Sequence, residues 1–133
     1  MASVSELDVL IVDDHEVMRA LLTRALTAAG VISIRSAPNA TEALTQLRGH
    51  PAHLILADQN MPGMSGLEFI AAVRADAVYG APRIVMISGH GQRVLESAQR
   101  LGGIRGLKIA GILTKPFRRA ELHAELTRLS TVA

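Results

Sequence analysis

The chain has 133 residues, 49% hydrophobic but only 2% aromatic, which describes one folded domain with an aliphatic core and excludes a disordered chain. It has no cysteine, so a disulfide framework and a thiolate metal site are excluded as well. Net charge is +2: residues 1–82 hold five Lys/Arg against nine Asp/Glu, and residues 83–133 hold nine against three. The basic last third suits an acidic partner or, more simply, a solvated surface, and its dispersed charges without aromatics argue against nucleic acid.

Taken in order, Val9-Leu10-Ile11-Val12 is a short apolar run that ends in Asp13-Asp14, the pattern of a buried strand. Apolar residues at Val17, Leu21, Leu22, Ala25 and Leu26 then predict a helix over 16–29, stopped by Gly30. Val31-Ile32-Ser33-Ile34 reads as a weaker strand. Asn39 is placed to cap a helix carrying Ala40, Ala43, Leu44 and Leu47, closed by Gly49 and Pro51. A third strand, His53–Ala57, runs into Asp58 and the loop Gln59-Asn60-Met61-Pro62-Gly63-Met64-Ser65. A helix over 66–76 follows. Next comes the strand Arg83–Ile87 ending in Ser88, then a helix from about Gln92 whose end is blurred by Gly102, Gly103 and Gly106. Ile109–Leu113 is a fifth strand, followed by Thr114-Lys115-Pro116-Phe117 and a last helix over 118–129.

Five strands alternating with five helices predict an α/β domain, a doubly wound parallel sheet with helices on both faces. The expected organisation is a single domain over 1–133, with no room for a second. No apolar run reaches transmembrane length and the N-terminus has no signal-peptide form, so the expected location is cytoplasmic, with no membrane partner.

In such a sheet all strand carboxyl ends share one edge. Asp13-Asp14, Asp58, Ser88 and Lys115 therefore converge there. Three close carboxylates repel one another unless a hard divalent cation relieves them, and Mg²⁺ prefers such oxygen ligands. Lys115 supplies a point charge for a phosphoryl oxygen and Ser88 a neutral donor. The set describes Mg²⁺-assisted transfer of a phosphoryl group to the carboxylate of Asp58. Each part alone has a plain structural explanation: turn chemistry for Asp13-Asp14, a strand end for Lys115-Pro116, backbone capping for Asp58. Their joint occurrence at four strand ends does not.

On these motifs the chain resembles the response-regulator receiver domain of two-component signalling. The carrying stretches are Ile11-Val12-Asp13-Asp14-His15, Asp58 through Gly66, Ser88-Gly89 and Lys115-Pro116-Phe117, and the likeness covers nearly the whole sequence. The resemblance implies a flavodoxin-like (βα)5 fold with strand order 2-1-3-4-5. It implies that Asp58 receives a phosphoryl group from a histidine kinase or phosphotransfer protein. Mg²⁺, with Mn²⁺ as a substitute, would be bound by Asp14, Asp58 and the backbone carbonyl of Asn60, with Asp13 acting through metal-bound water. Lys115 and Ser88 would contact the phosphoryl oxygens, Gly89 would leave access, and His90 and Asn60 would tune hydrolysis. Such a domain is not a conventional enzyme, although it assists its own phosphorylation and dephosphorylation. Its partners would be the phosphodonor and a downstream protein or detached output domain, met on the face of the fourth helix, fifth strand and last helix, with phosphorylation-dependent dimerisation.

Two departures stand out. Ile112 occupies the position where the family usually carries an aromatic that moves with the serine; as a plain residue it simply fills a strand. Twenty-seven positions separate Ser88 from Lys115, more than in a minimal receiver. The extra stretch, Leu101–Lys108, is similar to that of receivers attached to cyclic-di-GMP phosphodiesterase domains of the EAL type. Three other classes fit less well. A haloacid-dehalogenase-like hydrolase needs Asp where Asn60 stands, and a nucleotide-binding domain needs glycines where Asp13-Asp14-His15-Glu16 stand. A receiver-like interaction module that is never phosphorylated would not need the full set of Asp13, Asp14, Asp58, Ser88 and Lys115.

Overall fold

The computed structural model describes residues 3–89 and 106–131, with Arg93 and Glu96 between them. Five strands, β1 (Asp8–Val12), β2 (Ser33–Ala37), β3 (Leu54–Asp58), β4 (Arg83–Ser88) and β5 (Ile109–Thr114), form one sheet in the order β2-β1-β3-β4-β5. Every neighbouring pair is parallel. This is the expected doubly wound order. The helices are α1 (Glu16–Ala28), α2 (Ala40–Gly49), α3 (Gly66–Ala75) and a C-terminal helix (Arg119–Thr131). Two 3-10 turns, Val4–Glu6 and Ala77–Tyr79, add short corners. Of the helix expected from Gln92 only Arg93 and Glu96 are described, and both are helical; His90 and most of the Leu101–Lys108 stretch lie outside the described residues.

Strand alternation divides the core. Leu10, Val12, Ile55, Ala57, Ile84 and Met86 face α2 and α3, where they meet Leu47, Leu67, Phe69 and Ile70. Val9, Ile11, Leu54, Leu56, Val85 and Ile87 face the other way, onto Leu22 and Leu26 of α1 and Leu122 and Leu126 of the C-terminal helix. β3 lies at the centre and is buried along its whole length.

The second strand differs from its sequence reading: it runs Ser33–Ala37, not Val31–Ile34. Val31 belongs to the end of α1. Gly30 takes φ +104°, its N–H donates to Thr27 O, and the Val31 N–H donates to Leu26 O. This is a Schellman cap, and Val31 and Leu26 are both buried in the same core layer. The apolar signal of Val31 is thus a helix stop, and the true edge strand is the more polar Ser33-Ile34-Arg35-Ser36-Ala37.

β5 carries an extra residue. Ile84 pairs with Ile109 and Val85 with Gly111, leaving Ala110 unpaired in a β-bulge. The bulge shifts the alternation, so that Ile112 packs toward the α2–α3 layer and Leu113 toward the C-terminal helix. A Cβ on Gly111 would come within 2.8 Å of Glu125 Oε2 and 3.0 Å of Arg128 Nη2, the ends of side chains that can turn aside.

Candidate functional site

The site is built from strand ends. β1 delivers Asp13, whose N–H donates to Ala37 O and whose carbonyl accepts from Arg19 Nη1 at 2.7 Å. The His15 N–H donates to Asp13 Oδ1 at 2.8 Å, so one carboxylate oxygen is fixed by the turn into α1 while Oδ2 has no hydrogen-bond partner among the described residues. β3 delivers Asp58 and β4 delivers Ser88, both 2% exposed; Asp13 is 1% exposed. β5 leads to Lys115, whose N–H donates to Ser88 O at 2.7 Å and whose Nζ donates to Asp58 Oδ1 at 2.9 Å.

The loop after Asp58 is fixed from within. The Gln59 N–H donates to Ile87 O, Gln59 O accepts from the Gly66 N–H, and Gln59 Oε1 accepts from the Leu67 N–H at 2.9 Å. Gly63 takes φ +80° after Pro62, a backbone region that suits glycine. Gly66 is required for a different reason. A Cβ there would fall 2.5 Å from Asp58 O and 2.9 Å from both Gln59 Cα and Met86 Sδ. The start of α3 can press on the end of β3 only because that atom is missing. Ser65 then caps α3 through a reciprocal pair of hydrogen bonds with Glu68.

One ligand atom from each of Asp13, Asp14, His15 and Asp58 lies within 4.8 Å of all the others. Asp13 Oδ2, Asp14 Oδ1 and Asp58 Oδ2 are buried and lack hydrogen-bond partners among the described residues. His15 Nδ1 lies 3.2 Å from Asp14 Oδ1 and 3.3 Å from Asp13 Oδ1. Burial pushes the Asp58 carboxyl above the usual carboxylate range; the Lys115 hydrogen bond and charge oppose this, and the charges of Asp13 and Asp14 add to it. Carboxylates of three residues that each bring an oxygen to one small region, with Asp13 Oδ2 and Asp58 Oδ2 left unpartnered, are the donor set of a hard divalent cation, so the residues present fit Mg²⁺.

The structure therefore brings together Asp13, Asp14, Asp58, Ser88 and Lys115. Asn60 is exposed on the loop two residues beyond Asp58. At Gly89 a Cβ would meet nothing within 4 Å, so packing does not demand glycine there and the space beside Ser88 is open among the described residues. Ile112 is partly buried in the α2–α3 layer and His90 lies outside the described residues. Sequence reasoning assigned no role to four supports: His15 and Arg19, which hold Asp13, and Gln59 and Gly66, which hold the Asp58 loop. Gly66 was the most legible of them, as a glycine opening a helix rather than closing one.

A flavodoxin-like parallel sheet with an acidic, cation-suited cleft at its carboxyl edge defines the class. Comparison with known proteins gives the family. The model of the response regulator receiver domain matches residues 9–127, and the chain belongs to that family. It is 32% identical over 127 residues to a probable chemotaxis protein CheY of Rhizobium etli, covering 95% of this chain and 94% of that protein. It is 30% identical over 123 residues to the chemotaxis protein CheY of Pseudomonas aeruginosa, covering 91% and 94%. The solved structure of Vibrio cholerae CheY4 superposes with a TM-score of 0.78 at 29% identity, covering 92% of this chain and 98% of that one.

Proposed function

We propose that this receiver domain works as a switch through a phosphoryl group carried on Asp58. The observation that carries the proposal is a buried aspartate hydrogen-bonded to Lys115, with ligand atoms of Asp13 and Asp14 within 4.8 Å of one of its own. The phosphodonor is a histidine kinase or phosphotransfer protein. In the transfer an oxygen of the Asp58 carboxylate forms a bond to phosphorus as the P–N bond of phosphohistidine breaks. The product is an acyl phosphate, and the departing imidazole keeps the electron pair and takes up a proton. Asp13, Asp14, Asp58 and the Asn60 carbonyl would hold Mg²⁺, which when bound would neutralise charge on the phosphoryl oxygens.

Lys115 begins as the countercharge of Asp58 and passes to a phosphoryl oxygen, where it stays as a point charge. The Ser88 hydroxyl donates to another. Because the Lys115 N–H is bonded to Ser88 O, a shift of Ser88 is felt at the end of β5. The message is read by a downstream protein on the surface that includes β5 and the C-terminal helix. The domain is not a conventional enzyme: it assists chemistry on its own side chain.

The test is intact-mass measurement after incubation with acetyl phosphate or phosphoramidate, with and without Mg²⁺. One added phosphoryl group that requires Mg²⁺ and is lost in Asp58→Asn is the expected result. No addition under any condition overturns the proposal in favour of an interaction module that is not phosphorylated.

A further inference from the structure

A cavity of about 360 Å³ opens at the amino edge of the sheet, opposite the edge that carries Asp58, where the end of α3 meets the starts of β4 and β5. Arg74, Arg83 and Lys108 line it against a single carboxylate, Asp76, and much of the remaining wall is aliphatic, including Val73 and Pro82. Arg74 donates from Nε to Leu107 O at 2.9 Å, from Nη1 to Pro82 O at 2.8 Å and from Nη2 to Lys108 O at 3.0 Å. These carbonyls fix the guanidinium and use three of its five N–H groups, but they do not cancel its charge. Neither Arg74 nor Lys108 has an ion pair among the described residues. Burial lowers the Arg74 guanidinium from its ordinary value, the mark of a cation drawn from water with no anion to face. Lys108 stands at φ +55°, a left-handed conformation that glycine or asparagine enters at less cost, so its side chain is held there against a backbone preference. A solvated basic surface explains dispersed, exposed cations; it does not explain a half-buried, fixed guanidinium on a cavity wall.

We propose that this cavity binds the dianionic head of a small phosphomonoester, with Arg74 as the fixed planar donor, Lys108 as a flexible point charge and Arg83 as a third cation at the wall. A phosphomonoester carries about −1.5 to −2 charges at pH 7, which matches the two cations, Arg74 and Lys108, that lack a carboxylate. A monocarboxylate leaves one of them unanswered. The aliphatic part of the wall takes the carbon body of the ester, and the volume lies in the range of small-ligand sites, about 300–1,000 Å³. Asp76 opposes binding, although its Oδ1 is turned to the Val78 N–H at 3.0 Å. The cavity shares no residue with Asp13, Asp14, Asp58, Ser88 or Lys115, so the proposal stands apart from the phosphoacceptor chemistry.

Backbone amide NMR shifts of the full chain test it. The buffer is free of Mg²⁺, so that the carboxylates around Asp58 repel phosphate from the other edge. The probes are inorganic phosphate and glycerol 3-phosphate, with sodium chloride at equal ionic strength and succinate as comparators. The expected result is saturable shifts at residues 80–83 and 108–111, with Kd on the order of 1 mM for phosphate and tighter for the ester. Lys108→Asn should weaken binding about fivefold or more and leave the thermal midpoint unchanged or higher, since asparagine suits the left-handed backbone. Asp76→Asn keeps an acceptor for the Val78 N–H and should tighten binding about twofold or more. Shifts that sodium chloride reproduces, shifts that do not saturate, binding unaltered in Lys108→Asn or Asp76→Asn, or succinate bound as tightly as the ester each overturns the proposal.

Discussion

Asp58 is the residue where the folded state carries its clearest electrostatic conflict. Its carboxyl is pushed upward by burial, with Lys115 opposing and Asp13 and Asp14 adding to the push. A carboxyl raised in the folded state favours folding in acid. That contribution is full below the unfolded value of about 3.9 and is lost as pH rises through the folded value. Asp58→Asn removes the loss at little change in volume. In metal-free buffer the variant should therefore be more stable than the parent at neutral pH, with the gap narrowing toward pH 4. Millimolar Mg²⁺ should narrow it too, by stabilising only the parent. Urea unfolding across pH, with and without Mg²⁺, measures both effects. Lys115 offers no ligand atom to a cation, so Lys115→Ala should keep Mg²⁺ affinity, read by titration, while losing the response of the output face to phosphorylation. A lost Mg²⁺ affinity would mean that Lys115 supports the carboxylates in some other way.

Elements show where local chemistry sets the geometry. α3 can start where it does only because residue 66 lacks a side chain. Gly66→Ala, although favourable for helix propensity, should destabilise by about 2–4 kcal/mol, because the methyl meets backbone of Asp58 and Gln59 rather than a side chain that can swing away. Ser65→Ala, one residue earlier, removes one of the two capping-box bonds and should cost only about 1 kcal/mol. Thermal or urea unfolding ranks the two. Element identity was legible in the sequence where apolar runs were continuous, as in Leu54–Ala57, because a strand buried on both faces has no polar positions. It failed at Val31-Ile32, where a helix cap and an edge strand meet: Val31 is apolar to close α1, Ile32 is exposed, and the real edge strand is polar because one side is open. The candidate site was legible through its strand-end residues. Its supports were not, since His15, Arg19 and Gln59 act through backbone groups that no spacing reveals. The bulge at Ala110 was hidden for the same reason, and with it the direction of Ile112.

At the scale of the whole molecule, the sheet is a wall between two separate cores. Ile70 on α3 lies in one and Ile11 on β1 in the other. Ile70→Val and Ile11→Val should each cost about 0.5–1.5 kcal/mol, and the double variant should equal their sum within about 0.5 kcal/mol. Urea unfolding of the four proteins in the cycle checks this; a larger coupling would show that strain crosses the sheet. The partition has an evolutionary corollary. Neighbouring residues of a strand answer to different helical layers, so drift in one layer needs no compensating change in the other. The layer holding α1 and the C-terminal helix can be recut to suit new associates while the opposite layer, which seats the Asp58 loop through Gly66 and Leu67, is left as it stands. A lineage built this way can change whom it addresses without relearning its chemistry.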